Sequence, residues 1–246
     1  MKALFDLGNS RLKWALSENG VRDRGSIESS DPSILSSYLD STLGAVKAPG
    51  QAWISSVAHD ETTEELKTWL RRKWSLEGRI IKVGAEGCGI INSYAQPEML
   101  GSDRWAALVA IRHRYSQPAS IIDCGTATTI DFLNDNRFYG GVILPGLELL
   151  RSSLVSNTAR LRLNGSETIS SIATSTSAGI QSGTLLGLVG AIEHIVKRQQ
   201  RETGLSPTIY LTGGNANLIQ PYLELTHEVV DDLVLQGVEV IAGLEV

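Results

Sequence analysis

The stretch ALFDLGNSRLKWAL, residues 3–16, has the pattern of two β-strands joined by a short polar turn. Asp6 stands near the end of the first strand, and Gly8, Asn9 and Ser10 form the turn. Glycine lets the backbone turn tightly and lets a phosphate approach main-chain N–H groups, while the Asn and Ser side chains add neutral donors. The stretch therefore predicts a phosphate-binding loop. For a single copy, a common Asp-x-Gly turn without function is the simpler interpretation.

The second half of the chain repeats this pattern, because FDLGNSRLKWAL (5–16) aligns with IDCGTATTIDFL (122–133). The matched residues are Asp6 with Asp123, Gly8 with Gly125, and Asn9 with Thr126. An internal duplication explains both copies and favours function over a simple turn. Two such loops facing each other across a cleft would clamp a polyphosphate, with the carboxylates holding a cation or water. The stretch LTGGNANL (211–218) predicts a third strand-to-helix junction, suited to an adenosine.

Hydrophobic patterning predicts a mixed α/β protein with two lobes, 1–117 and 118–246. In the first lobe we expect strands at 2–7, 11–17, 21–26, 51–57 and 79–83, with a hairpin at Asn19-Gly20. Helices are expected from Asp31-Pro32 to Leu43, at 61–74, and from Ser102 onward. Residues 84–100 are glycine-rich and are predicted to be irregular. In the second lobe we expect strands at 119–123, 128–134, 137–143 and 208–212, and helices at 146–157, 178–201, 215–222 and 233–244.

Composition limits the classes of partner. The chain has 246 residues, 42% of them hydrophobic, and a net charge of −5, so an anionic ligand needs a local site and nucleic acid is not an expected partner. No stretch approaches ~20 apolar residues and the N-terminus has no signal pattern, which predicts a cytoplasmic protein without a membrane partner. Cys88 and Cys124 are far apart, and Cys124 is expected in the core.

Other phosphate-binding and catalytic motifs do not fit. The chain has no G-x-x-x-x-G-K-[ST] loop, no G-x-G-x-x-G loop, and no protein-kinase H-R-D or D-F-G set. Residues Ser10 to Lys13 spell S-x-x-K, but they lie on a predicted strand and lack the companion motifs of penicillin-binding enzymes. Lys13 is therefore interpreted either as a phosphate contact or as a solvated strand residue.

The tetrapeptide GSDR (101–104) opens a predicted helix and suggests an acceptor site. Phosphoryl transfer to an alcohol needs a carboxylate that accepts the hydroxyl proton, and Asp103 in the first helical turn offers one. Arg104 has the forked donors that fit a substrate carboxylate. The alternative is that Ser102 and Asp103 only cap the helix and Arg104 is a surface charge.

With GSDR, DCGTATTIDF (123–132) and GGVILPGL (140–147) in this order, the chain closely resembles the type III pantothenate kinases. That family belongs to the actin, hexokinase and Hsp70-like superfamily. The resemblance implies two duplicated actin-like (ribonuclease H-like) lobes, each a mixed β-sheet flanked by helices, with an ATP cleft between them. It also implies transfer of the ATP γ-phosphate to the primary hydroxyl of pantothenate, giving 4'-phosphopantothenate in the first step of coenzyme A biosynthesis, with Mg²⁺ and a monovalent cation, K⁺ or NH₄⁺.

The resemblance also implies roles for individual residues. ATP would contact Thr126 and the first loop. That loop comprises Asp6, Leu7, Gly8, Asn9, Ser10, Arg11, Leu12 and Lys13. Asp123 would hold the monovalent cation. Pantothenate would contact Tyr94 and the four residues Gly101, Ser102, Asp103 and Arg104, with Asp103 as the base. Thr176 would close the pantothenate pocket from the partner subunit of a homodimer. The chain departs from the family at Arg162-Leu163, where a proline usually follows NTARL.

Two other functions remain open at this point. One is a different small-molecule kinase of the same superfamily, acting on a sugar or a carboxylic acid, against which the GSDR helix argues. The other is a non-catalytic accessory regulator of transcription built on the same scaffold. The intact loops and GSDR favour catalysis, and the acidic charge argues against direct contact with DNA.

Overall fold

The computed structural model describes residues 1–18, 20–28, 32–156 and 168–244. The chain forms two compact units. The first unit comprises Met1–Tyr115, Asn136–Phe138 and Asp232–Val246, and the second comprises Ser116–Asp135 and Tyr139–Asp231.

The first unit is built on a five-stranded mixed sheet in the order β3-β2-β1-β4-β5. The strands are β1 (Lys2–Leu7), β2 (Arg11–Ser17), β3 (Val21–Glu28), β4 (Gln51–Ser56) and β5 (Gly78–Ile80). β1 pairs antiparallel with β2 and parallel with β4, so that Asp6 lies opposite Lys13 on one side and beside Ser55 on the other. The helices of this unit are α1 (Pro32–Leu43), α2 (Asp60–Trp74), α3 (Ser102–Arg114) and α7 (Leu233–Leu244).

Side-chain periodicity explains how these helices cover the sheet. In α2 the buried residues Leu66, Trp69 and Leu70 recur at helical spacing and pack into the core around β1, and the helix ends at Ser75 in the left-handed conformation. α3 is buried along nearly its whole length because α7 packs against it. A Cβ at Gly237 would lie 1.8 Å from the carbonyl oxygen of Ala106, so glycine permits this close approach of α7 to α3.

The second unit repeats the strand order of the first, as β12-β11-β8-β9-β10. Its strands are β8 (Ala119–Cys124), β9 (Ala127–Asn134), β10 (Arg137–Pro145), β11 (Thr208–Thr212) and β12 (Glu228–Val229). β8 pairs antiparallel with β9 and parallel with β11, as β1 does with β2 and β4. Its helices are α4 (Leu147–Ser156), α5 (Thr176–Thr203) and α6 (Ala216–Ile219). The repeated strand order confirms the mixed α/β fold and the internal duplication predicted from the sequence.

Several local predictions need correction. Residues 84–100 are not wholly irregular, because they contain two short strands, β6 (Glu86–Gly87) and β7 (Ile90–Asn92), and a 3-10 turn, Pro97–Met99. β7 pairs with Arg137 and Phe138. The helix predicted at 215–222 is α6 followed by a 3-10 turn, Gln220–Tyr222, since Pro221 has no N–H to continue the α-helical ladder. Strand β5 is shorter than predicted, and β12 was not predicted.

The compact units also differ from two consecutive lobes, because α7 lies in the first unit although it ends the chain. Asn19 of the predicted hairpin, the predicted helix cap Asp31 and the family departure at Arg162-Leu163 lie outside the described residues.

One described helix, α5, is long and apolar enough to cross a membrane by length and composition. Half of that apolar window is buried inside the protein. A core helix of a soluble protein meets the same two criteria, so α5 by itself gives little support to a membrane span.

Candidate active site

The first predicted phosphate loop is an open turn between β1 and β2. The Gly8 N–H donates to the Arg11 carbonyl oxygen at 3.0 Å and closes the turn, while the Asn9, Ser10 and Arg11 side chains are exposed. A Cβ at Gly8 would lie 3.4 Å from the Arg11 oxygen, which is close to an ordinary contact. The turn therefore presents its polar groups to solvent without crowding from neighbouring segments.

Two residues predicted in this loop have additional structural contacts. Leu12 is fully buried in the core of the first unit, so any contact it makes with a nucleotide uses its backbone. Lys13 points its ammonium group toward Asp232, with 3.5 Å between Nζ and Oδ1, and Arg24 binds the same carboxylate at 2.8 Å. These contacts fix the side chain of Lys13 close to the beginning of α7.

The second predicted loop is a shorter turn between β8 and β9, closed by the Gly125 N–H donating to the Ala127 oxygen at 3.0 Å. Neighbouring segments pack tightly against it. The Gly146 N–H donates to the Thr126 oxygen at 2.9 Å, and a Cβ at Gly146 would lie 2.3 Å from the Gly125 oxygen. Gly213 has φ +95°, and its Cβ would lie 2.4 Å from Asp123 Oδ1. Glycine is therefore required at positions 146 and 213. The sequence motifs GGVILPGL and LTGGNANL contain these glycines, but their packing against the second turn is seen only in the structure.

Asp123 occupies the position in β8 that Asp6 has in β1, one residue before the end of the strand. Its neighbour Cys124 is fully buried, as predicted, and burial together with the negative charge of Asp123 raises the pKa of the Cys124 thiol to about 12. Cys124 is therefore a neutral core residue at physiological pH. The predicted junction in LTGGNANL is confirmed, since β11 leads through Gly213 into α6 and the Asn215 N–H donates to the Cys124 oxygen at 2.9 Å.

The GSDR segment begins α3 and is attached to the end of β4 by one buried hydroxyl group. Ser102 Oγ accepts a hydrogen bond from the Ser56 N–H at 2.9 Å and lies 3.1 Å from both the Ser56 carbonyl oxygen and the Ser55 hydroxyl oxygen. Ser56 lies beside Leu7 in the parallel pairing of β4 with β1. The start of α3 therefore lies at the same edge of the sheet as the first turn.

Asp103 is half-buried, and its Oδ1 accepts a hydrogen bond from the Arg104 N–H at 2.7 Å. Burial raises the pKa of the Asp103 carboxyl above its ordinary value, although the hydrogen bond and the positive charge of Arg104 act in the opposite direction. A Cβ at Gly101 would lie 2.5 Å from Asp103 Oδ1, so the glycine of GSDR leaves room for the carboxylate. A half-buried carboxyl with a raised pKa is well suited to accept a proton near neutral pH.

Arg104 is buried and is held by aromatic residues from two distant segments. Its Nη1 donates to the Tyr94 hydroxyl at 2.8 Å, and its guanidinium carbon lies 5.6 Å from the Tyr94 ring centroid and 5.8 Å from that of Phe138. The two rings are 5.6 Å apart. The structure thus brings together Tyr94 and Arg104, as predicted. It adds Phe138, which no motif indicated because it lies 34 residues further along the chain.

The remaining predicted residue, Thr176, is the first residue of α5 in the second unit and is exposed. Ser175 caps that helix by accepting a hydrogen bond from the Ala178 N–H at 3.1 Å. Among the described residues, no group of three or more His, Cys, Asp or Glu side chains is arranged to hold a metal ion. Each predicted turn instead follows a strand that carries one aspartate.

Comparison with known proteins gives this arrangement a family. A sequence model described as "Type III pantothenate kinase" matches residues 3–198, which include both turns and the GSDR segment. The chain belongs to the type III pantothenate kinase family. The resemblance inferred from the motifs is thereby confirmed.

Curated relatives of the family match the chain over nearly its full length. It is 36% identical to a type III pantothenate kinase of Alkalilimnicola ehrlichii, covering 97% of this chain and 96% of the relative. It is 33% identical to a type III pantothenate kinase of Nitrosococcus oceani, covering 98% and 94%.

Solved structures confirm the fold of this family member at lower sequence identity. A 2-dehydro-3-deoxygalactonokinase-like protein of Sinorhizobium meliloti has a TM-score of 0.66 at 15% identity, covering 99% of this chain and 96% of that chain. An activator of 2-hydroxyisocaproyl-CoA dehydratase from Clostridium difficile, solved with bound ADPNP, has a TM-score of 0.55 at 12% identity, covering 99% and 94%. Both likenesses support the predicted two-lobe, actin-like ATPase fold and nothing finer.

Proposed function

We infer that this chain is an ATP-dependent pantothenate kinase, which transfers the γ-phosphate of ATP to the primary hydroxyl of pantothenate in coenzyme A biosynthesis. Membership of the family supports this activity. The observation in the structure that best supports it is the pairing of a half-buried Asp103 with a buried Arg104 held by Tyr94. One residue can serve the hydroxyl of pantothenate and the other its carboxylate.

We propose Asp103 as the general base. A primary alcohol is almost fully protonated at neutral pH, so the attacking oxygen gains from a carboxylate that orients it and takes its proton as the bond to phosphorus forms. The raised pKa of Asp103, caused by burial, makes it a better proton acceptor than an exposed aspartate. The bond from the Arg104 N–H to Oδ1 holds the carboxylate in one orientation.

We propose that Arg104, Tyr94 and the backbone of Gly101 and Ser102 bind pantothenate. A guanidinium group offers a planar fork of donors that matches a carboxylate, and a helix N-terminus favours a negative charge. The Tyr94 hydroxyl and the two rings around Arg104 keep the guanidinium in place before the substrate arrives. The Ser102 hydroxyl already binds β4, so its contribution is to fix the helix start.

We propose that the turns bearing Gly8 and Gly125 bind the phosphates of ATP, through Asp6 to Lys13 in the first unit and Thr126 in the second. Mg²⁺ usually keeps several waters and needs one or two carboxylates besides the phosphates, so the single aspartate of the first turn, Asp6, suits it. Asp123, near the end of the strand before the second turn, is the proposed ligand of a monovalent cation, K⁺ or NH₄⁺. Such a cation would neutralise a carboxylate that otherwise repels phosphate.

A coupled assay tests reaction, substrate and cation together. Pantothenate and a panel of sugars and small carboxylic acids are supplied with ATP and Mg²⁺ in buffers that contain K⁺, NH₄⁺ or Na⁺. We expect turnover of pantothenate only, and faster turnover with K⁺ or NH₄⁺. Equal turnover in Na⁺ would remove the proposed role of Asp123, while turnover of another acceptor would assign a different kinase activity. Binding of ATP without turnover of any alcohol would favour a regulator on this scaffold.

We propose a cytoplasmic homodimer whose ligands are small molecules, with neither nucleic acid nor a membrane as a partner. The second unit exposes apolar side chains near α4 and α5, including Ile143, Leu149 and Leu154. An apolar cavity of about 390 Å³ lies between these helices and the end of β10. A second copy would cover this surface, and Thr176 would then contribute to the partner's pocket. Light scattering at micromolar concentration tests the dimer, and a fully active monomer would contradict it.

A further inference from the structure

The segment between β5 and α3 contains a buried polar side chain, Asn92, whose amide group binds three points of the backbone. Only 6% of Asn92 is exposed, although it lies in a segment rich in turns. Its Nδ2 lies within hydrogen-bond distance of two backbone oxygens, that of Gly84 at 3.3 Å and that of Pro97 at 3.1 Å. Its Oδ1 accepts a hydrogen bond from the Tyr94 N–H at 3.1 Å. One amide therefore joins three points of the segment.

The chemistry of these partners requires an amide. Two carbonyl oxygens can only accept and a backbone N–H can only donate, so the group between them needs two donors and one acceptor on a short side chain. Asparagine has this set, whereas aspartate has no donor when ionised and serine is too short to span the three partners. The bond from Oδ1 to the N–H two residues later is also the usual Asx turn, which sets the direction of the chain at Tyr94.

Tyr94 links Asn92 to the proposed acceptor site. Its hydroxyl accepts the hydrogen bond from Arg104 Nη1 at 2.8 Å, and its ring packs on Phe138. The Ser93 N–H donates to the Phe138 oxygen at 3.2 Å, which fixes the chain just before Tyr94. A shift of the Tyr94 backbone would therefore move the hydroxyl away from the guanidinium group.

We propose that Asn92 is a positioning residue for the acceptor site. It fixes Tyr94, and through Tyr94 it fixes the guanidinium of Arg104 in the orientation that receives the carboxylate of the substrate. This inference rests on the proposed function for the identity of that substrate, whereas the order that Asn92 imposes on its own segment can be measured without it. Asn92 contacts no reacting atom in this proposal.

Kinetics of Asn92→Ser test the proposal against a matched control, Gln96→Ser, which removes an exposed amide from the same segment. We expect Asn92→Ser to raise KM for pantothenate about 10- to 100-fold, because small misplacements of a positioned group have effects of this size. KM for ATP should change by less than about twofold, since the ATP contacts are elsewhere. Gln96→Ser should behave as the wild type. An equal rise in both KM values would overturn the proposal.

A double-mutant cycle with Tyr94→Phe tests whether Asn92 acts through Tyr94. If it does, Asn92→Ser in the Tyr94→Phe background adds little to the loss of kcat/KM for pantothenate, because the hydroxyl that Asn92 positions is already gone. Full additivity of the two losses would show that Asn92 acts elsewhere and would overturn the proposal. The wild-type assay on the same plate separates this result from a failure of the proposed function, which would appear as no turnover of pantothenate by any variant.

Hydrogen exchange of the full chain gives a readout that needs no activity. We expect Asn92→Ser to speed exchange in peptides covering 84–100, and to leave peptides from β1 and β4 unchanged. Unchanged exchange in 84–100 would overturn the proposal, and so would an equal increase throughout the first unit. The latter result would make Asn92 a residue of the general fold.

Discussion

The two Asp-x-Gly turns occupy the same place in their sheets and differ in what surrounds them. Asp6 and Asp123 each stand one residue before the end of the strand that pairs antiparallel with the next strand and parallel with a later one. The first turn is open, and a Cβ at Gly8 would have room. Gly146 and Gly213 pack tightly against the second turn. A Cβ at either glycine would lie within 2.4 Å of a backbone or carboxylate oxygen. The repeated scaffold thus carries one open turn and one tightly packed turn, both of which are proposed to bind phosphate.

The comparison extends to the helices that follow the last strand of each repeat. α3 follows β5 and its connecting segment, α7 follows β12, and both pack in the first unit. The first turn of α3 carries Asp103 and Arg104, which are proposed to bind the acceptor. α7 begins just after Asp232, whose carboxylate holds Lys13 and Arg24. An aspartate at the start of each helix therefore has a different setting, the proposed acceptor site for Asp103 and an ion pair beside the first turn for Asp232.

The largest expected effect tests the chemical role assigned to the start of α3. Asp103→Asn keeps the size of the side chain and can still accept the hydrogen bond from the Arg104 N–H, but it cannot take a proton. We expect kcat to fall about 10²-fold or more, within the ~10²–10⁴ range for loss of a general base, with KM for ATP little changed. Steady-state kinetics with both substrates measure this. Near-normal kcat in a folded variant would make Asp103 only a helix-start residue.

Because burial raises the pKa of Asp103, ionisation of this carboxyl should lower the stability of the fold, whereas the activity requires it. In the folded state the carboxyl holds its proton to higher pH than in the unfolded chain, so stability is lost as pH rises through the folded-state pKa. The ionised Asp103 therefore costs stability at neutral pH, and Asp103→Asn should unfold at the same or a higher temperature than the wild type at pH 7. Wild-type kcat/KM should fall as pH drops through the raised pKa. A variant that is both inactive and markedly less stable would contradict this interpretation.

The next largest effect should distinguish the tightly packed turn from the open one. In Gly146→Ala the new Cβ would lie 2.3 Å and 2.4 Å from the oxygens of Gly125 and Thr126, so the second turn must move. We expect a loss of about 2 kcal/mol, as for other overpacked sites, seen as a fall of roughly 4–8 °C in Tm. The matched change Gly8→Ala should cost under about 1 kcal/mol. Equal effects on Tm would show that the two turns are equally crowded.

The sequence could predict those residues of the candidate site that lie in local motifs. Asp6, Asp123 and GSDR each stand in a short motif, because a strand end followed by glycine and a helix start have signatures within a few residues. Phe138 carries no such signature, since it acquires its role from a segment that the fold brings beside it. The sequence predicted a turn at Gly213, but the contact of that turn with Asp123 needed the fold. Asn92 also needed the structure, because its partners at Gly84 and Pro97 become neighbours only when the segment folds around it.

The smallest expected effect concerns Lys13, which stands opposite Asp6 where the second unit has Thr129 opposite Asp123. Lys13→Met keeps most of the length of the side chain and removes its charge. We expect KM for ATP to rise about three- to tenfold, since a partly exposed charge contributes roughly 1 kcal/mol to phosphate binding. Stability should change by less than about 0.5 kcal/mol, because Asp232 keeps its bond to Arg24 at 2.8 Å.

Arg24→Met provides the matched control for Lys13→Met, because it removes the other cation from the same carboxylate. If Lys13 contacts phosphate, only Lys13→Met raises KM for ATP, and the two variants have similar Tm values. If Lys13 is solely a partner of Asp232, both variants leave KM for ATP unchanged. In that case the two turns would differ only in the packing around them. The first loop would then bind phosphate through its backbone and its neutral donors, as is proposed for Thr126 in the second unit.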